Sequence, residues 1–358
     1  MSMWNIYMIG RIGTIRAGGS AAKRATGMST TGRDNIRRKV RSIAAATAIL
    51  LGNILVYMRY PGRILKFYRR LGYLPNVCDP KSKNEKILWR KTFDRNPMYR
   101  ILADKLAVRE FIMMRCPELA MSEIVWIGSS PQQIPEALLQ PGIVVKTNNG
   151  CNRNIFITQV PVDRVRFNKQ IAQWLARPYG LTAGEWAYRR IQPSVFIEKM
   201  IALPSGREFF DLCFHVLMGK CVLATVDKDV KQESERIAVF DPHGNRLTAH
   251  FKDNAKSKPC KELPEDFQLP ATFGDAVRYA EEIARDFDYV RVDFMSHGNR
   301  LYFCECTIFP MGGYSIISGG ADERIAAAWD LQNSWFMQSR QTGIRGIYAA
   351  LYRYRLSE

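Results

Sequence analysis

The sequence is short of histidine and shows no paired cysteines. Its four histidines, His215, His243, His250 and His297, have no HxxxH or HExxH spacing, which leaves a histidine-built zinc site without a basis. The eight cysteines, Cys78, Cys116, Cys151, Cys213, Cys221, Cys260, Cys304 and Cys306, contain no CxxC pair, and most lie in apolar, strand-like runs. They read as reduced core residues of a cytosolic protein and not as a disulfide framework. Also missing are a GxxxxGK[ST] loop and, in the body of the chain, a strand-borne GxGxxG, so the two commonest phosphate loops are excluded. Acids are scarce in one region: residues 1–70 hold 14 Lys/Arg against the single acid Asp34.

That local scarcity accounts for most of the formal net charge of +18, because the remaining 288 residues carry 38 basic and 33 acidic side chains. A basic groove through the folded body is therefore not indicated, and nucleic acid is not an expected partner. The basic extension includes RRKVR at 37–41, an apolar run at 43–58, and then Arg59, Arg63, Lys66, Arg69 and Arg70. The run is interrupted by Thr47, Gly52 and Asn53 and is 16 residues long, short of the roughly 20 that cross a bilayer. With cations on both flanks, it reads as a peripheral anchor on the inner face of the plasma membrane, or alternatively as a buried helix of the body. Residues 1–35 are expected to form a disordered basic lead, 36–80 a membrane-proximal helical segment, and 321–358 a C-terminal helical segment. With 358 residues and 47% hydrophobic content, the chain is long enough for two or three packed subdomains.

Between these ends the apolar periodicity predicts an α+β order. Residues 84–114 are helical in two segments parted by Asn96-Pro97, 121–130 form a strand, and 131–139 a short helix begun by proline. PGIVVK and IFITQV are strands joined by the polar turn TNNGCNRN. Helices are expected over 167–175, 182–191 and 275–287, with strands at SVFIEKMI, on both sides of Met218-Gly219-Lys220, and in a hairpin over 289–310. These hairpins lack the βαβ rhythm of a doubly wound sheet.

Two segments carry the chemistry. Lys146 ends an apolar strand beside the backbone N–H groups of 147–150, so an ammonium and free amides meet where a phosphate could be cradled. A solvent-facing lysine at a hairpin turn reads the same. In the second segment Arg291 and Asp293 share a strand face, while Glu305 lies in an apolar strand where an unpaired carboxylate would be costly. Two carboxylates near phosphate oxygens suit Mg²⁺; a structural triad with Arg291 is the alternative. The two acids share a face only with an odd-length loop: a three-residue His297-Gly298-Asn299 loop would set Asp293 opposite Phe303 and Arg291 opposite Glu305.

Taken in order, LADKLAVREF, VVKTNNG, GEWAYRRIQPSVFIEKMI, FDLCFHVLMGK, and VRVDF with FCECT resemble the TupA-like branch of the ATP-grasp superfamily, named for teichuronopeptide synthesis. The resemblance runs from about Asn84 to Tyr314 and implies an α+β ATP-grasp fold over 84–320, with a nucleotide held between two α+β subdomains of antiparallel sheet. It implies that Lys105 and Lys146 contact ATP phosphates, that Thr147 and Asn148 also belong to the ATP site, and that Glu198, Lys199, Met200 and Ile201 border the adenine. Glu208 and Asp211 become candidates for ribose or acceptor contacts. Arg291, with Lys146, takes the catalytic role, while Asp293, Glu305 and Thr307 ligate Mg²⁺. The implied reaction is ATP-dependent joining of a carboxylate to an amine through an acyl phosphate, on a glycan-linked substrate of cell-surface polysaccharide synthesis. Phosphorylation of a hydroxyl and a degenerate ATP-binding scaffold at the membrane are the alternatives. Two departures stand out: Thr307 replaces a common metal-ligand asparagine, and Cys213 replaces the lysine of the branch's Asp-Tyr-Lys-Phe.

Overall fold

The computed structural model describes residues 30–177, 179–181, 183–201, 209–230 and 232–356. The chain divides into two units, Met1–Ala44 and Ala45–Glu358. Residues 1–29, most of the stretch expected to be a disordered lead, lie outside the described residues; from Thr30 the chain is helical. Helix α1 (Thr30–Arg59) is longer than its apolar run. Its 18-residue stretch Ser42–Arg59 is long and apolar enough to cross a membrane by length and composition, and 11% of it is buried.

The polar interruptions in that run are where the helix docks. Gly52 lies so close to Cys78 that a Cβ there would come within 2.9 Å of its Sγ. The Asn53 amide donates to Asn76 Oδ1 at 2.8 Å and accepts from the Cys78 N–H at 3.0 Å, and the Tyr57 hydroxyl donates to the Pro75 carbonyl at 2.8 Å. Val56 packs with Ile64, Phe67 and Leu71 of α2 (Pro61–Leu71). Leu50, Leu51, Leu55 and Met58 remain exposed.

The helical pattern after residue 82 splits into three. Helix α3 (Lys83–Thr92) opens with a capping box between Ser82 and Glu85, which satisfies two N-terminal amides. Helix α4 (Met98–Ala103) follows Asn96-Pro97. Helix α5 (Ala107–Arg115) starts where Asp104 Oδ1 accepts the Leu106 and Ala107 N–H groups at 2.9 and 3.3 Å.

The first sheet has strands β1 (Ile124–Gly128), β2 (Ile143–Thr147), β3 (Asn154–Ile157) and β4 (Val195–Lys199) in the order β1-β4-β2-β3, all antiparallel. The helix expected over 131–139 is instead two 3₁₀ turns, Pro131–Gln133 and Glu136–Leu138, because Pro135 cannot continue the first. The helix expected at 182–191 is reduced to the 3₁₀ turn Trp186–Arg190. Helix α6 (Arg164–Ala176), N-capped by Asp163, covers the back of this sheet, where Val145, Ile157, Val195 and Ile197 meet Phe167 and Ile171.

The second sheet contains β5 (Phe209–Leu217), β6 (Lys220–Lys228) and β7 (Arg236–Phe240). After the short β8 (Phe251–Lys252) come β9 (Lys261–Glu262), helix α7 (Phe273–Ala284), β10 (Val290–His297) and β11 (Arg300–Thr307). The order is β11-β10-β5-β6-β7-β9, and β12 (Ile316–Ile317) pairs separately with β8. Met218 and Gly219 both take positive φ, as a two-residue hairpin turn demands. Phe214 and Phe294 lie on one face with Phe273 of α7, which leaves the opposite face to Arg291, Asp293, Cys213 and Asp211.

The end of the chain closes on α3. Helices α8 (Ala321–Ala328), α9 (Trp335–Gln338) and α10 (Gly343–Leu356) follow, and Tyr348 of α10 stacks on Phe93 and accepts the Trp89 indole N–H at 2.7 Å. Arg90, fully buried, donates to Asp288 at 2.8 Å and to the Tyr289 carbonyl at 2.9 Å. Tyr99 and Trp329 also donate to Asp288, at 2.6 and 2.8 Å. A buried charge held by this many partners fixes its surroundings, here the root of β10.

Candidate active site

The two sheets face each other across a cavity of about 510 Å³. On the first sheet, cross-strand register places Val144 opposite Glu198 and Lys146 opposite Phe196, so all four share the face that lines the cavity. Lys146 Nζ donates to Glu198 Oε1. Met200, Ile201 and the stem of Lys199 extend this wall. The Lys199 and Met200 N–H groups are already bonded to the Glu123 and Gly142 carbonyls at 2.9 and 2.8 Å.

Thr147 and Asn148 sit differently. The period of two turns Thr147 to the packed face, where it is fully buried with its hydroxyl unpartnered. Asn148 uses its side chain as a splice: the amide donates to Asp104 Oδ1 at 3.1 Å and to the Gln192 carbonyl at 3.0 Å, and its oxygen accepts the Ser194 N–H at 2.8 Å. Neither residue lines the cavity. Asn148 also brings in Lys105, whose N–H donates to the Asn148 carbonyl at 3.2 Å. Lys105 lies in the turn before α5, not on the helix, and its ammonium donates to the Gly150 carbonyl. Lys105 Nζ is also 3.8 Å from Glu305 Oε2, so it bridges the β2–β3 loop and the second sheet.

The second wall differs from the sequence expectation in how it reaches its register. The hairpin turn is the two-residue Gly298-Asn299, with His297 opposite Arg300, so the odd-length loop is absent. A β-bulge between Asp293 and Phe294 supplies the odd residue instead: Phe294 pairs with Phe303, but Asp293 pairs with Glu305, leaving Cys304 as the extra residue. Both acids thereby share a face, directly opposite each other, and Arg291 faces Thr307 rather than Glu305. Without the bulge, Cys304 would oppose Asp293 and Glu305 would point to the other side.

Around these acids the polar groups interlock. Arg291 holds Asp293 with two hydrogen bonds, Nε to Oδ1 at 2.7 Å and Nη2 to Oδ2 at 2.6 Å. The Thr307 hydroxyl lies 3.1 Å from Asp293 Oδ2 and 3.2 Å from Glu305 Oε1, and it accepts from Arg291 at 3.4 Å. Burial pushes the Asp293 carboxyl above its ordinary range, and the Arg291 guanidinium only partly opposes this. Burial acts on Glu305 in the same direction, but Lys105 and then Arg291 outweigh it and hold that carboxyl below its ordinary range.

Further out on this face, Asp211 lines the cavity and lies opposite Asp227 across β5–β6. Burial and then Asp211 push the Asp227 carboxyl well up. Cys213, standing where the resemblance expects a lysine, is buried opposite Asp293. Glu208 lies outside the described residues. Sequence reasoning missed Arg109, Arg153, Cys151 and Cys304, all of which line the cavity. Arg109 was visible as the residue four beyond Lys105, and Cys151 and Arg153 lie inside the polar turn already singled out.

Among the described residues no group of three or more His, Cys, Asp or Glu side chains is arranged to hold a metal ion. The set Asp293, Glu305 and Thr307 nevertheless fits a hard divalent cation, since Mg²⁺ takes one or two protein carboxylates and completes its shell with phosphate and water.

Two sheets closing on a cleft, antiparallel but for the short parallel β7–β9 pair, with Lys146 entering from the first sheet, Lys105 from the turn before α5 and opposed carboxylates on the second, give the arrangement of an ATP-grasp protein. Over residues 85–325 the chain matches the TupA-like ATP-grasp family, and it belongs to that family. Among solved structures it is similar to the D-alanine–D-alanine ligase of Bacillus anthracis complexed with ATP, at 14% identity and a TM-score of 0.35, over 58% of this chain and 55% of that one. The D-alanine–D-alanine ligase of Helicobacter pylori matches at 10% identity and a TM-score of 0.35, over 70% of each chain. The ATP-grasp ligase PsnB, complexed with a precursor variant, Mg and ADP, matches at 12% identity and a TM-score of 0.34, over 69% of this chain and 66% of that one. The chain thus spans little more than half the length of the Bacillus anthracis enzyme. At these scores the likenesses carry no argument, and the assignment rests on the family match. No curated protein matches the sequence.

Proposed function

We propose that the protein is an ATP- and Mg²⁺-dependent ligase that joins a carboxylate to an amine. The observation that carries this reading is the convergence of Lys105, Lys146 and Glu305 on one cavity, with Arg291 and Asp293 braced directly behind Glu305. Triphosphate oxygens would draw Lys146 from Glu198 and Lys105 from the Gly150 carbonyl, exchanging local partners for a polyanion. Val144, Phe156, Phe196 and Met200 offer the apolar slot that an adenine ring requires.

The chemistry needs no enzyme nucleophile. A carboxylate oxygen of the substrate attacks the γ-phosphorus, the bond to the bridging oxygen breaks, and ADP leaves. The amine nitrogen then attacks the acyl carbon, the bond to phosphate breaks, an amide forms, and the amine proton passes to solvent. Charge develops on phosphoryl oxygens in the first step, where Arg291 and Lys146 would stabilise it. Mg²⁺, held by Asp293 and Glu305 with Thr307 beside them, would neutralise phosphate charge.

The substrate is read as glycan-linked, in cell-surface polysaccharide synthesis, in keeping with the family. A cytoplasmic location at the inner membrane face is supported by the cations flanking the apolar run of α1 and the exposed Leu50, Leu51, Leu55 and Met58. The hydrogen bonds of Asn53 and Tyr57 to residues 75–78 favour a helix lying on the surface, because a membrane span would forfeit them. Product analysis with MgATP and a carboxylate and amine panel tests the reaction. An amide with ADP and phosphate is expected; a stable phosphoester with ADP alone would make it a hydroxyl kinase, and ATP binding without turnover a scaffold.

A further inference from the structure

A second cavity, of about 900 Å³, adjoins the first, and Arg153 lines both. Its cations are Lys66 and Arg70, one turn apart on α2, together with Arg153 and Arg177. Against them stand Asp253 and Glu185, and Glu185 is already paired with Lys91 at 3.2 Å. Lys66, Arg70 and Arg177 form no ion pair among the described residues, so the lining is net cationic, with Asp253 offsetting only part of the charge. Arg153 is held in place: it donates to the Asn149, Trp174 and Arg177 carbonyls at 3.1, 2.6 and 2.9 Å and lies 5.4 Å from the Tyr179 ring centre. Beside Arg153 the β2–β3 loop lies against Tyr179, since a Cβ on Gly150 would come within 2.9 Å of its ring. Gly150 is also the residue whose carbonyl receives Lys105.

Unpaired cations gathered in a concave site focus positive potential, and guanidinium groups match the geometry of carboxylate and phosphate oxygens. Helix α2 lies outside the segment that matches the family, so half of these cations come from residues the family assignment does not cover. We infer that the second cavity anchors the anionic body of the carboxylate substrate, a chain bearing several carboxylates, and directs one of them past Arg153 to the phosphoryl site. This rests on the ligase reading. Phosphate groups on the same kind of chain would offer the same oxyanion chemistry.

The test is fluorescence anisotropy of labelled tetragalacturonate on the full chain at low salt, with tripolyphosphate as a second probe and MgATP affinity measured in parallel. Substituting Lys66→Gln with Arg70→Gln is expected to weaken tetragalacturonate binding about tenfold and Arg177→Gln severalfold, with MgATP affinity held within about twofold and unfolding midpoints unchanged. Unaltered tetragalacturonate affinity in both variants overturns the proposal. So does an equal loss of MgATP affinity, which would assign the cations to the nucleotide. Tripolyphosphate binding with no tetragalacturonate binding overturns the carboxylate assignment. A native chain that binds tetragalacturonate but no MgATP defeats the ligase reading and upholds the anion site.

Discussion

The two walls of the cleft hold their charges in different ways. On the second sheet, Arg291, Asp293, Thr307 and Glu305 form a connected set that Lys105 joins from the turn before α5, with the Arg291 and Asp293 side chains 17% and 10% exposed. On the first, Lys146 pairs with Glu198 and shares its strand face with Val144 and Phe196, and the lysine side chain is 26% exposed. One wall is built to keep its charges where they are. The other holds a cation that can change partners at little cost, and a site that must seize and release a triphosphate needs both.

Breaking the register of the rigid wall should have the largest effect. Inserting one alanine between Cys304 and Glu305 keeps the bulge, sets the alanine opposite Asp293 and turns Glu305 to the other face, so MgATP binding should be abolished in calorimetry, whereas deleting Cys304, which removes the bulge but leaves Glu305 opposite Asp293, should retain it. The next effect separates the walls by stability. Asp293→Ala strands a buried guanidinium and should cost about 3–5 kcal/mol in denaturant unfolding, against about 1–3 kcal/mol for Lys146→Ala, which leaves the buried Glu198 carboxylate with Arg109 as its nearby cation. If the two costs are equal, the contrast between the walls is wrong.

Function should reverse that order at Lys146. Its alanine variant should keep its fold but lose roughly 10- to 100-fold in ATP affinity, as expected for a lost charge-assisted contact. The smallest effect concerns pH. The Glu305 carboxyl is held below its ordinary range by Lys105 and Arg291, so it adds stability that is fully present above the unfolded carboxylate pKa and is lost as pH falls through the depressed folded value. With its side chain 34% exposed, solvent screening limits the contribution to under about 1 kcal/mol, and Glu305→Gln should flatten the acid limb of the stability profile by that amount.

Much of this arrangement was legible in the residues. Period-two alternation placed Arg291 and Asp293 on one face, and the apolar run ending at Lys146 announced a strand that delivers its lysine to a loop. The same alternation, carried one residue further, would have turned Thr147 away from the cavity. The bulge at Cys304 was hidden because nothing in the composition of FCECT marks an inserted residue, and a counting rule shifts by one wherever a strand does. Asn148 misled in another way: a small polar residue in a loop suits a ligand as well as it suits the splice between Asp104 and Ser194. The strands β7, β8, β9 and β12 escaped because two to five residues carry too little periodicity to stand out.

The central claim is that one magnesium-bound nucleotide is held by both walls. Titrating ATP by calorimetry, with and without Mg²⁺, into the native chain, Lys146→Ala and Glu305→Gln tests it most directly. Lys146→Ala should weaken ATP whether or not the metal is present, while Glu305→Gln should weaken it only when Mg²⁺ is there. Native affinities in both variants under both conditions would contradict the account.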